Sequence, residues 1–207
     1  MLDARLRPLI DPPLNAAGRR LADMGIGANT VTLAGLALGL ASAAMIAVGA
    51  VTWALLPLLV SRLADGLDGA IARASRKTDY GGYLDITCDF LFYGAVPLAF
   101  VLLDPARNGL AGAFLLAAFY FNGASFLGYA ILAAKRGLTT EAQGSKSLYF
   151  SNGILEGTET IGFFVLLCLL PSQFPALAWI FGALCYLTGG LRLWAASGVF
   201  TDPKERQ

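Results

Sequence analysis

Asp65, Asp68, Asp85 and Asp89 stand close together in the segment DGLDGAIARASRKTDYGGYLDITCD, residues 65–89, inside one of the most apolar parts of the chain. Carboxylates in such surroundings are costly, and they are kept where they do chemistry. Asp65 and Asp68 are three residues apart and Asp85 and Asp89 four apart, so on helices each pair projects from one face. A reversal of the chain at residues 75–79 lets the two pairs meet. Four carboxylates crowded in a low-dielectric site cannot all stay ionised unless something neutralises them. Hard divalent cations with oxygen ligands, Mg²⁺ or Mn²⁺, answer that need and suit phosphate substrates. Two of them ~4 Å apart would together activate a nucleophile and stabilise a leaving group. The structural alternative is a set of buried ion pairs among Asp65, Asp68, Arg62 and Arg73, which leaves Asp85 and Asp89 without partners.

Other residues narrow the chemistry. The chain has no histidine, which excludes His-dependent triads and His-ligated metals. Cys88, Cys168 and Cys185 are far apart in apolar segments and suggest neither a disulfide framework nor a zinc site; Cys88, beside Asp89, reads as a small buried hydrophobe. Gly69 and Ala72, with Gly81 and Gly82, leave room for a flat or extended ligand against the backbone. Arg73 offers a planar fork suited to phosphate.

The elements that must position these residues are membrane helices. Of 207 residues, 57% are hydrophobic and 14% charged, and the mean hydropathy is +0.64, which is not the make-up of a soluble domain. The net charge of +1, without a basic tail or a Lys/Arg cluster of the size such binding needs, gives no sign of a nucleic-acid partner, and none is expected. The N-terminal stretch lacks the uninterrupted apolar core and small-residue site of a cleavable signal peptide. Residues 2–25 alternate apolar positions with Arg5, Arg7, Arg19 and Arg20, and Pro8, Pro12 and Pro13 interrupt them. This predicts two short helical pieces, the second lying amphipathically along the membrane interface.

Six apolar runs follow, at residues 29–51, 53–74, 80–103, 109–134, 148–170 and 174–197, each able to span ~30 Å of hydrocarbon. The predicted fold class is all-α, a six-transmembrane-helix bundle with an N-terminal amphipathic interfacial helix. Its parts are an interfacial segment at 1–28, a catalytic domain at 29–198 and a tail at 199–207. Gly35, Gly39 and Ala43 suit close helix packing in the first run. The N-terminal segment, the 74–79 turn, the 135–147 loop and the tail hold most of the basic residues, whereas the opposite loops hold Arg107 alone. Both termini and the aspartates therefore face the cytoplasm.

The spacing Asp65-x2-Asp68-Gly69-x2-Ala72-Arg73-x7-Gly81-x3-Asp85-x3-Asp89 resembles the signature of the CDP-alcohol phosphotransferases, with every motif position filled. The layout also resembles that family over most of the chain, and most of all a bacterial inner-membrane subgroup. The resemblance implies metal-dependent transfer of a substituted phosphate from a CDP-linked donor to an alcohol, with release of CMP, in phospholipid biosynthesis. By the same resemblance Asp65, Asp68, Asp85 and Asp89 ligate two divalent cations, and Asp89 is also the base that takes the acceptor hydroxyl proton. Gly69, Ala72, Arg73 and Gly81 line the CDP pocket. Asn29-x2-Thr32 resembles a further nucleotide-binding element, although Ala28 stands where a proline often precedes the asparagine. Relatives also imply a homodimer, and the compact bacterial-type chain favours CDP-diacylglycerol over CDP-choline or CDP-ethanolamine as donor.

The acceptor is addressed outside the motif. Arg192 in the sixth run, with Lys135 or Lys146, would form a basic pocket for a phosphorylated polyol such as inositol phosphate or glycerol phosphate. Glu156 and Glu159 lie on one face of the fifth run; alternatively one of them pairs with Arg192 or Lys146 and fixes helix packing. The rival reading from another class is a cation transporter using the aspartates. Such sites lie near the bilayer midplane on discontinuous repeated helices, whereas these aspartates lie toward one end and no repeat is visible. An inactive scaffold of the same family predicts loss of a motif aspartate, and none is lost.

Overall fold

The computed structural model describes residues 3–137, 155 and 157–201, with side chains from residue 8 onward, and its ordered elements are all helical among those residues. They are α1 (Asp3–Asp23), α2 (Ala28–Ala47), α3 (Val51–Ala74), α4 (Asp79–Leu103), α5 (Pro105–Lys135), α6 (Gly157–Leu169), a 3₁₀ turn (Pro171–Gln173) and α7 (Phe174–Phe200).

Local chemistry explains the boundaries. Gly49, at φ 89°, ends α2 in a left-handed cap: its own N–H donates to Ile46 O at 3.0 Å, and Ala50 N–H donates to Met45 O at 2.8 Å. Thr78 opens α4, its hydroxyl accepting from Gly81 N at 3.0 Å. Asp104 opens α5 just ahead of Pro105, accepting from Arg107 N at 3.0 Å.

One expectation is corrected. Pro8, Pro12 and Pro13 do not divide the N-terminal segment; α1 runs through all three. A proline removes its own donor and bends a helix without necessarily ending it, and here α1 is docked along α3. A Cβ on Gly66 would sit 3.0 Å from Leu14 Cδ1, and one on Gly18 would sit 2.6 Å from Ala70 Cβ, so tertiary packing holds the helix together.

Among the described residues, four segments are long and apolar enough to cross a membrane: α2, α4, α5 and the stretch Pro171–Phe200 containing α7. The chain is therefore an integral membrane protein by its helices, with fewer clear spans than the six expected. α3 is 24 residues long but carries Arg62, Asp65, Asp68 and Arg73. α6 has 13 residues, and the earlier part of the predicted run at 148–170 lies outside the described residues, apart from Leu155.

α2 lies against α3 and α4, α4 against α5, and α5 against α7. The core between them is built from Ile46, Leu58, Phe92, Phe100, Leu115, Phe164 and Phe174, all fully buried. Small residues let the backbones approach: a Cβ on Gly39 would lie 2.6 Å from the Phe92 ring, and one on Gly182 would lie 2.7 Å from the Phe114 ring. Large apolar side chains such as Trp53, Leu110 and Ile180 point outward, as they do where lipid is the solvent.

Candidate active site

α3 and α4, joined by the short turn that Thr78 caps, bring the aspartates together. Asp65, Asp85 and Asp89 each offer a carboxylate oxygen within 4.8 Å of the others, all three half-buried. Asp68, one turn along α3, is more deeply buried and is held from α2: the Thr32 hydroxyl donates to its Oδ2 at 2.5 Å. An oxygen-only donor set of this size and spacing fits a hard divalent cation.

Arg62 completes the cluster. It stands one turn before Asp65 on the same face of α3, and its Nη1 donates to Asp89 Oδ1 at 2.7 Å and lies 3.5 Å from Asp65 Oδ1. Its Cζ sits 3.9 Å from the centroid of the Phe92 ring, and its Nη2 donates to Ser61 Oγ at 3.1 Å. Part of the ion-pair alternative is thus present, with a different membership: Arg62 reaches across to α4, so one α4 aspartate does have a partner. Arg73 turns the other way, its Nε and Nη2 donating to Asn15 Oδ1 on α1 at 3.2 and 2.9 Å.

The small residues and the α2 element surround this cluster. Arg73 Nη1 lies 3.3 Å from where a Cβ on Gly69 would be, and Ala72 is half-buried on the same helix. A Cβ on Gly81 would lie 3.1 Å from Asn29 Oδ1 and 3.0 Å from Thr78 Oγ1. Asn29 and Thr32 therefore reach the start of α4 and the middle of α3 respectively. A cleft lined by Thr32, Ser61, Arg62, Asp65, Cys88 and Asp89 opens among the three helices.

The acceptor candidates are not brought together in the same way. Arg192 is buried between α7 and α5, where its Nη1 donates to Ser125 Oγ at 2.7 Å, to Asn122 Oδ1 at 3.0 Å and to Asn122 O at 3.1 Å. Lys135 is exposed in the last turn of α5. Lys146 and Glu156 lie outside the described residues, and Glu159 is half-buried in the first turn of α6. Sequence reasoning missed Asn15 and Ser61 and treated Arg62 only as a rival ion-pair partner. The available signal for Arg62 was its spacing, three residues ahead of Asp65 in an otherwise apolar helix.

The family model for CDP-alcohol phosphatidyltransferase matches residues 26–194. The chain belongs to that family. As a CDP-alcohol phosphatidyltransferase it is an enzyme, a phosphotransferase of phospholipid biosynthesis built from apolar helices. It is 48% identical over 195 residues to the inner membrane protein YnjF of Escherichia coli, covering 94% of this chain and 95% of that one. It is also 36% identical over 89 residues to an archaetidylinositol phosphate synthase of Pyrococcus horikoshii, covering 42% of this chain and 47% of the relative. A transferase of this family takes a CDP-alcohol donor and an alcohol acceptor, and the aspartates of α3 and α4 form a cluster able to bind metal.

Proposed function

We propose that this transferase moves a phosphatidyl group from CDP-diacylglycerol to an alcohol, releasing CMP. The observation that carries the reading is the convergence of Asp65, Asp85 and Asp89 within a complete family motif. The acceptor oxygen attacks the phosphorus that bears the lipid, the bond from that phosphorus to the CMP oxygen breaks, and the hydroxyl proton passes to Asp89. Asp65, Asp68, Asp85 and Asp89 would hold two divalent cations, Mg²⁺ or Mn²⁺, whose chemistry is to offset charge on the pyrophosphate and acidify the hydroxyl. Gly69, Ala72, Arg73 and Gly81, with Asn29 and Thr32, form the nucleotide side of the site.

The name of the archaeal relative, archaetidylinositol phosphate synthase, supports a phosphorylated polyol as the acceptor class, with Lys135, Lys146 and Arg192 as candidate cationic contacts for its phosphate. In this reading residues 29–198 form a six-span catalytic domain, and residues 1–28 and 199–207 are an interfacial segment and a tail on the cytoplasmic side. The protein acts in a bacterial inner membrane, in keeping with the name of the Escherichia coli relative, and works as a homodimer. The test is CMP release from CDP-diacylglycerol by purified protein, against a panel of alcohols and phosphorylated polyols, with Mg²⁺, with Mn²⁺ and with chelator. We expect release that requires both an alcohol and a divalent cation. Cation flux into liposomes with no nucleotide product would overturn the reading.

A further inference from the structure

Arg62 is not one of the motif positions, yet it contacts two carboxylates of the cluster, Asp65 and Asp89. Its side chain is only 8% exposed. The flat face of the guanidinium lies on Phe92, itself fully buried, and Nη2 donates to Ser61 Oγ, which in turn donates to Gly35 O at 2.7 Å. Nε is buried and has no hydrogen-bond acceptor among the described residues. A buried donor left without an acceptor is unfavourable, a cost that the contacts of Nη1 and Nη2 with Asp89 and Ser61 offset. Arginine does not lose its proton in proteins, and this charge is therefore a permanent part of the site.

Its partners are also informative. Nη1 engages Oδ1 of Asp89 while standing 3.5 Å from Asp65 Oδ1. The Phe92 ring and the Ser61 hydroxyl hold the guanidinium beside the carboxylates. It is fixed in place, and any cation entering among Asp65, Asp85 and Asp89 meets a positive charge already there.

We propose that Arg62 is a positioning residue and resident countercharge: it holds Asp89 and Asp65 together when no cation is bound, and it lowers the affinity of the cluster for divalent cations. This rests on the metal-binding reading of the cluster given above. Removing the charge while keeping the bulk leaves the carboxylates to attract a cation unopposed. Removing only the planar shape does not.

The experiment measures Mn²⁺ binding by electron paramagnetic resonance on the full chain in detergent, without donor, alongside Tm. Arg62→Met is expected to bind Mn²⁺ more tightly by on the order of tenfold, because a unit charge a few ångström from a divalent ion matters even at high effective dielectric. Its Tm is expected to fall without metal and to recover at saturating Mn²⁺. Arg62→Lys, which keeps the charge, is expected to stay within about threefold of the unsubstituted Kd. Should Arg62→Met fail to fold, Arg62→Gln supplies the same neutral comparison. Equal or weaker Mn²⁺ binding by the neutral variant, or equal tightening by the lysine variant, overturns the proposal while leaving the metal site intact. No Mn²⁺ binding by the unsubstituted protein removes the metal site itself, and the proposal with it.

Discussion

The Thr32 hydroxyl lies 2.5 Å from Oδ2 of Asp68 and ties α2 to α3 at the most deeply buried of the four aspartates. Thr32→Val keeps the shape and removes the donor, leaving a buried carboxylate oxygen without that partner. Losing a partner to a buried polar group costs about 1–3 kcal/mol. We expect a lower Tm and reduced CMP release, with Thr32→Ser close to the unsubstituted protein in both. An unchanged Tm for the valine variant would remove the tie from the account of this site.

Asp89 faces Arg62 and is the proposed base. Asp89→Asn keeps the size, loses the charge and cannot take the acceptor proton. Since a positioned base contributes roughly 10²–10⁴-fold, CMP release should fall by at least about 10²-fold. CDP binding, followed by calorimetry in the same detergent, should be largely retained. Substantial residual turnover would falsify the assigned role.

Asn15 on α1 accepts from two nitrogens of Arg73, at an exposed position. Exposed contacts of this kind contribute within about 0.5 kcal/mol to stability, so Asn15→Ala should leave Tm nearly unchanged. If Arg73 contacts the donor, its loss of orientation should raise KM for the CDP-linked substrate by roughly tenfold or less, the worth of about one hydrogen bond, with kcat kept. A change in kcat alone would argue that α1 acts elsewhere.

Gly39 admits no side chain: a Cβ there would lie 2.6 Å from the Phe92 ring and 3.0 Å from Ser61 Oγ. Overpacking of this kind costs about 1–3 kcal/mol. Because Phe92 and Ser61 both support Arg62, Gly39→Leu should lower activity as well as Tm. Gly82, where a Cβ meets nothing within 4 Å, is the control, and Gly82→Ala should leave Tm unchanged or slightly raised. Thermal melts followed by circular dichroism, with CMP release measured beside them, distinguish the two glycines.

Much of the site was legible in advance because helical spacing is a local property. Three- and four-residue offsets place Asp65 with Asp68 and Asp85 with Asp89 whatever surrounds them, and a short turn makes the two helices neighbours. Asn29 and Thr32 were legible only through resemblance, since nothing local links α2 to residues more than thirty positions away. The prolines of α1 misled for a related reason. They report a local preference for breaking, whereas the face that α1 buries against Gly66 and Ala70 lies on another helix.

Residue types and spacing by themselves determined an apolar helical chain, a complete aspartate motif and a chemistry that runs on oxygen ligands. Only the tertiary structure decided where each charge goes. Arg62 and Arg73 sit on the same helix and look equally able to pair with the acids, yet one reaches Asp89 and the other turns to Asn15. The difference arises from what each meets on neighbouring helices: Phe92, which gives one guanidinium a flat buried face, and α1, which offers the other an amide oxygen. Long-range packing chooses the partner of a charged side chain, because desolvation and geometry across helices outweigh any preference written in local sequence.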